Sequence, residues 1–274
     1  MKLTSRSYVL CIVAVILSTY TIQALKLDRV ILATNNNPLY IEFWPYVAKA
    51  WTQLIGIKPT LALIADEDVK IDESLGDVIR FKPLPGVPDG LYAQVIRLLL
   101  PAYFPNDGCI ISDIDQLPLQ RSYFVNTIAS VPDNQFIVYN NWCYGKTTPR
   151  YPMCYVAAKG QVFKKLFDIQ TVEDIPTIVE RWASMGLGFD TDETILYHTL
   201  VNWKFYKTEC TKLNDTLGLL DKRRILDNRK ASSAPLHYKP HLVRKNFYVD
   251  AFLPRPYSKY KTELDNLAYL AGIR

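Results

Sequence analysis

An α/β fold, with a mostly parallel central sheet and helices on both faces, is predicted by three features of this sequence. Its folded part opens as strand, helix, strand, an order that pairs strands in parallel through right-handed crossovers. The run Cys109-Ile110-Ile111-Ser112, preceded by the turn cluster Pro105-Asn106-Asp107-Gly108, has the composition of a buried central strand. And 274 residues that are 49% hydrophobic bury a sizeable core, most simply as one large domain.

The chain begins with Lys2 and Arg6 ahead of an uncharged run over residues 8–24, most apolar over 8–17. This is a secretory address in one of two forms. One is a cleaved signal peptide with Ala24 before the cut, although Ile22 is larger than the residue expected there. The other is a membrane anchor at the short limit for a spanning helix. The expected organisation is therefore a leader over residues 1–25 and a single domain over 26–274. Either form predicts a lumenal location, membrane-anchored in the Golgi or endoplasmic reticulum or secreted after cleavage. There Cys109, Cys143, Cys154 and Cys210 allow two bridges at most, with no pairing set by spacing. Asn214-Asp215-Thr216 is a glycosylation sequon.

A formal charge of +5 is mild for this length, so nucleic acid is not an expected partner. Basic residues gather late, at Lys222-Arg223-Arg224, Arg229-Lys230 and Arg244-Lys245, as a solvated face or as a surface turned to phosphate or membrane. No Cys-x-x-Cys occurs, which argues against that kind of zinc site.

A first strand is predicted over residues 29–34, ending at Asn35-Asn36-Asn37-Pro38, a polar strand end of the kind that holds a ligand. The following helix, over residues 39–54, carries Trp44, Val47, Trp51 and Leu54 at core spacing and is closed by Gly56. A second strand over 60–65 runs into Asp66-Glu67-Asp68, and a third covers 78–81. Past a Pro/Gly-rich loop, the helix over 91–103 sets Gln94 and Arg97 on one stripe of an otherwise apolar surface. A charge in that setting needs an anion. The anion is Asp113 or Asp115 as a structural pair, or the phosphates or sugar of a ligand.

The central strand delivers Asp113-Ile114-Asp115. In an extended segment both carboxylates point one way while Ile114 faces the core. Two hard oxygen ligands at a strand terminus suit Mg²⁺ or Mn²⁺, with phosphate and water completing the shell. Further strands are predicted over 135–139 and 151–158, flanking an aromatic and amide-rich loop over 140–150 suited to sugars. Helices follow over 160–167 and 172–185. The next begins at Asp190-Thr191-Asp192-Glu193, where Asp190 with Glu193 has capping-box spacing. Asp192 and Glu193 are equally placed to act as a general base or to fix a sugar hydroxyl. His198 reads as a core histidine, and a last amphipathic helix covers 259–270.

Taken together these pieces resemble the nucleotide-sugar-dependent glycosyltransferases of the GT-A fold, over roughly residues 29–241. The residues that carry the likeness are the helix Tyr92-Ala93-Gln94-Val95-Ile96-Arg97-Leu98, the strand into Asp113-x-Asp115, the acidic helix start, and the late His237-Tyr238-Lys239-Pro240. The branch they look most like is the glycogenin and galactosyltransferase-like one, although Lys239 follows His237 more closely than in that branch and no tryptophan follows it. The resemblance implies that Asp113, Asp115 and His237 hold Mn²⁺ (or Mg²⁺) against the diphosphate and that Lys239 donates to the phosphates. It implies that Arg97 contacts donor sugar or phosphate, that Asp192 lies against the transferred sugar or acceptor, and that Thr34, Asn35 and Asp66 frame the nucleoside. The implied reaction moves a hexose or pentose from a nucleoside diphosphate sugar, a UDP-sugar first among donors, to a hydroxyl of a glycan, glycoprotein or glycolipid.

Two other readings fit parts of the sequence. A haloacid-dehalogenase-like phosphatase also uses Asp-x-Asp after a strand, but on its first strand. A secreted sugar-binding domain without catalysis is the other.

Overall fold

The computed structural model describes residues 23–214, 223–226 and 236–274. Most of the expected leader, the last two sequon residues, Lys222 and the Arg229-Lys230 pair lie outside them. Among the described residues no helix is long and apolar enough to cross a membrane.

Seven strands form the main sheet: β1 (Arg29–Asn35), β2 (Lys58–Ile64), β3 (Asp77–Phe81), β4 (Gly108–Ile111), β6 (Phe136–Val138), β7 (Val156–Lys159) and β8 (Cys210–Lys212). Their order is β3-β2-β1-β4-β7-β6-β8. The β3-β2-β1-β4 half is parallel, whereas β7 is antiparallel to both β4 and β6. A second sheet of three strands joins β5 (Gln116–Pro118), β10 (Asp250–Phe252) and β9 (Arg224–Ile225), with β10 in the middle.

Alternation along the strands explains the layers. Val30, Leu32, Leu61, Leu63 and Ile110 face one apolar core, while Ile31, Ala33, Ala62, Ile64 and Ile111 face another. Each core has its helices. Trp44–Ala50 and the C-terminal helix Tyr257–Ala271 cover the first side; Asp89–Leu99, Gly160–Leu166, Ile175–Ala183 and Thr191–Asn202 cover the second. A sheet dressed on both faces carries near-continuous apolar strands, as β1 and β2 do.

The α/β architecture thus stands as predicted, with differences of detail. The single helix expected over 39–54 is broken into Pro38–Ile41, Trp44–Ala50 and a wider π turn over Trp51–Ile55, with prolines at the start of the first two. Gly56 ends it in the left-handed conformation, φ 76°. Trp44, Val47 and Trp51 are fully buried, as their spacing required. The strand expected over 151–158 shortens to β7. The second sheet was not foreseen, because its strands are only two or three residues long and pair across large sequence distances.

Candidate active site

Strand β4 ends at Ile111, so the extended geometry expected for Asp113-Ile114-Asp115 is replaced by a turn. The Gln116 amide donates to the Asp113 carbonyl at 3.3 Å. Ile114 is buried as expected. The turn hands the chain to β5, which β10 pairs antiparallel, Phe252 opposite Gln116. One residue on, the Leu253 amide donates to the Asp115 carbonyl at 2.9 Å. The segment leaving β10 is thereby laid over Asp115.

Arg97, on the helix Asp89–Leu99, is the buried hub. Its Nη1 pairs with Asp113, its Nη2 donates to Asp192 Oδ2 at 3.0 Å, and its Nε donates to the Gln94 carbonyl at 3.2 Å. Of the anions weighed from sequence, carboxylates hold it, with Asp192 as a second that local sequence did not suggest. Burial pushes the Asp192 carboxyl up and Arg97 opposes the shift.

Asp192 and Glu193 sit in the first turn of Thr191–Asn202, and Asp192 Oδ1 accepts from the Glu193 amide at 2.9 Å. The capping box expected of Asp190 and Glu193 is not formed: Asp190 makes no side-chain cap. Arg150 draws it away, with Nη1 2.5 Å from Asp190 Oδ2 and 3.7 Å from Glu193 Oε2. The Tyr144 hydroxyl donates to Glu193 Oε1. Burial raises the Glu193 carboxyl, helped by neighbouring Asp192; the Tyr144 hydrogen bond and Arg150 work against it.

These groups open onto one cavity of about 730 Å³, ample for a cofactor-sized molecule. Of the sequence-predicted residues, Thr34, Asn35, Arg97, Asp113, Asp115 and the pair Asp192 and Glu193 line it. Asp66, His237 and Lys239 do not. Asp66 is exposed beyond the end of β2. His237 and Lys239 are exposed too, because their segment is docked elsewhere: the Leu236 amide donates to Glu263, Asn266 donates to the Tyr238 hydroxyl, and the Lys239 amide donates to Tyr248. His198 is exposed rather than in the core.

Arg255 and Tyr40, not singled out from sequence, complete the wall with Tyr144 of the aromatic loop and Arg224 of the late basic cluster. Arg224 is bound through Nε and Nη2 to buried Asp250 at 2.8 and 2.7 Å. Arg255, between Pro254 and Pro256, places Nε 3.5 Å from Asp115 Oδ2 and donates from Nη1 to the Tyr40 hydroxyl. An arginine flanked by prolines just after the apolar run Ala251-Phe252-Leu253 was the available signal for it. No disulfide joins Cys109, Cys154 and Cys210, and burial pushes the cavity-lining Cys154 thiol up to about 12.

Among the described residues, four carboxylates against three arginines leave the lining acidic. A surplus of hard oxygen ligands at the strand ends fits a divalent ion held by Asp113 and Asp115, with ligand phosphates completing its shell. Among the described residues no cluster of three or more His, Cys, Asp or Glu side chains is placed to hold a metal.

This architecture is the GT-A type, with the cavity at the carboxyl ends of the parallel strands. The same fold occurs in the galactosyltransferase LgtC solved in complex with donor and acceptor sugar analogues, which is 14% identical with a TM-score of 0.50 and is matched over 89% of this chain and 95% of that one. An active-site mutant of LgtC superposes with a TM-score of 0.51 at 12% identity, over the same shares of the two chains. No family model matches the sequence, and neither does any curated protein.

Proposed function

We propose that this protein is a glycosyltransferase that moves a sugar from a nucleoside diphosphate sugar to a hydroxyl acceptor. The observation that carries the reading is the convergence of Asp113, Asp115, Asp192 and Glu193 with the β1 terminus, Thr34 and Asn35, around one cavity. In open α/β sheets this end of the strands is where nucleotides bind. The likeness to LgtC, a galactosyltransferase solved with sugar analogues, supports the same chemistry.

The roles follow from position. Thr34 and Asn35 frame the nucleoside, a UDP-sugar being the first donor to try. Asp113 and Asp115 would hold Mn²⁺ or Mg²⁺, which when bound offsets the charge of the departing diphosphate. Arg97 positions Asp113 and Asp192 rather than meeting the phosphates, since its nitrogens already hold the two carboxylates. The anomeric C1–O bond breaks with its electron pair passing to the β-phosphate oxygen. The acceptor oxygen bonds to C1, and its proton goes to Glu193. Glu193 suits that role better than Asp192, whose carboxylate is held by Arg97. The acceptor is a glycan, free or on protein or lipid, and the N-terminal segment supports action in the secretory lumen, at a membrane or after release.

Incubation with UDP-, GDP- and CMP-sugars and Mn²⁺ tests the reading. Release of the nucleotide with transfer or hydrolysis of the sugar, reduced at least 100-fold in Asp115→Asn, is expected. Phosphate release from simple phosphoesters, or sugar binding with no turnover of any donor, would overturn it.

A further inference from the structure

We propose that Arg255 is the diphosphate-binding residue of the donor site, and that Asp115 holds it in place until donor and metal arrive. The inference rests on the donor-site reading above. It begins from a count of cations. Among the described residues the lining contains arginines at 97, 224 and 255 and no lysine or histidine. Two of the three are engaged by carboxylates, Arg97 by half-buried Asp113 and buried Asp192, and Arg224 by buried Asp250 through two nitrogens. Arg255 is held differently. Its Nε meets Asp115 only at 3.5 Å and its guanidinium stacks 4.6 Å above the Tyr40 ring, with 19% of the side chain exposed. A guanidinium has five N–H donors in a planar fork, a match for phosphate oxygens, and the contacts to Asp115 and Tyr40 leave part of that fork for a ligand.

The backbone explains why this arginine lies here. Pairing of β10 with β5 places Leu253 against Asp115, and two residues further the chain presents Arg255 above the turn. His237 and Lys239 do not line the cavity; between them Tyr238 is tied to Asn266 of the C-terminal helix, and the Lys239 amide to Tyr248. Arg255 therefore stands where a cation must face the leaving diphosphate.

An exchange of partners follows. Before the donor binds, Arg255 lies against the Asp115 carboxylate. A diphosphate is the stronger partner, being doubly charged and able to accept in bidentate fashion. When it draws Arg255 away, Asp115 loses that competing cation and its affinity for the ion rises. Donor and metal binding are then coupled through one side chain, each favouring the other as linkage demands.

The test uses the full chain and two binding measurements beside the rate. UDP affinity is read by calorimetry in Mn²⁺, and Mn²⁺ affinity without nucleotide by electron paramagnetic resonance. Arg255→Ala is expected to weaken UDP at least 10-fold while tightening Mn²⁺ several-fold, because Asp115 has lost its competitor. Arg255→Lys should fall between, and guanidinium ions should partly restore turnover to the alanine variant. A purely structural Arg255 would weaken both ligands together, and that result, or unchanged UDP affinity in a variant whose circular dichroism matches the parent, overturns the proposal. If the parent protein binds UDP and turns over a UDP-sugar but Arg255→Ala does so equally well, the donor-site reading survives and this inference fails. If the parent binds no nucleotide at all, both fail.

Discussion

Arg97 and Glu193 show how single side chains divide the work of the site. Arg97 lies in an apolar helix, and its burial is tolerable because Asp113 and Asp192 flank it. Replacing it with methionine leaves buried Asp192 without its cation, beside partly exposed Asp113. Loss of one partner from such a set costs about 3–5 kcal/mol, so Arg97→Met is expected to lower the denaturant midpoint sharply, an effect that urea unfolding measures. Glu193 serves chemistry instead. Its carboxyl is raised above the ordinary 4.5 by burial, so its proton is bound more tightly in the folded protein and is released only at a pH above that value. As the proton acceptor it works only when ionised. Turnover should therefore fall as pH drops through the raised value, an acid limb that lies above 4.5 and is absent in Glu193→Gln, whose remaining rate is low and flat; an unchanged limb would contradict the role.

At the scale of elements, the small sheet fixes the site more than the large one does. Asp250 on β10 is fully buried and accepts from Arg224, Gln116 and Tyr155, tying all three short strands and β7's approach into one network. Asp250→Ala strands a buried guanidinium and is expected to cost about 3–5 kcal/mol in a thermal or urea melt. Gly108, which opens β4, has the Lys26 carbonyl oxygen where a Cβ would be, 1.8 Å away. Gly108→Ala must push two backbones apart and should cost about 1–3 kcal/mol by the same measurement. These elements also mark the limit of what sequence pattern can show. β1 to β4 were legible, since long β-branched runs between turn residues have one reading. β5, β9 and β10 were not, because strands of two or three residues have no period, and β10 pairs with β5 from 132 to 136 residues away while β9 lies 26 residues from it. Asp113 and Asp115 were found by their spacing, although the turn that presents them differs from the strand expected. Arg255 was missed for the same reason as β10, whose pairing puts it in place.

Across the whole molecule, a parallel sheet covered on both faces turns its strand ends toward one cavity, and residues from β1, the Asp89–Leu99 helix, the β4–β5 turn, the Thr191–Asn202 helix and the segment after β10 meet there. Seven of the ten residues chosen from sequence line that cavity; His237 and Lys239, on the late segment, and Asp66, in the exposed acidic turn past β2, do not. The difference is physical. Residues within or beside strong elements are carried to the sheet end by the fold, whereas a late segment goes wherever its own anchors take it. A structure of the protein crystallised with UDP and Mn²⁺ tests the central claim most directly. Uridine is expected against Thr34 and Asn35, with the diphosphate within hydrogen-bond reach, about 2.7–3.2 Å, of Arg255. Nucleotide bound elsewhere on the surface, or none in the cavity at millimolar UDP, would contradict it.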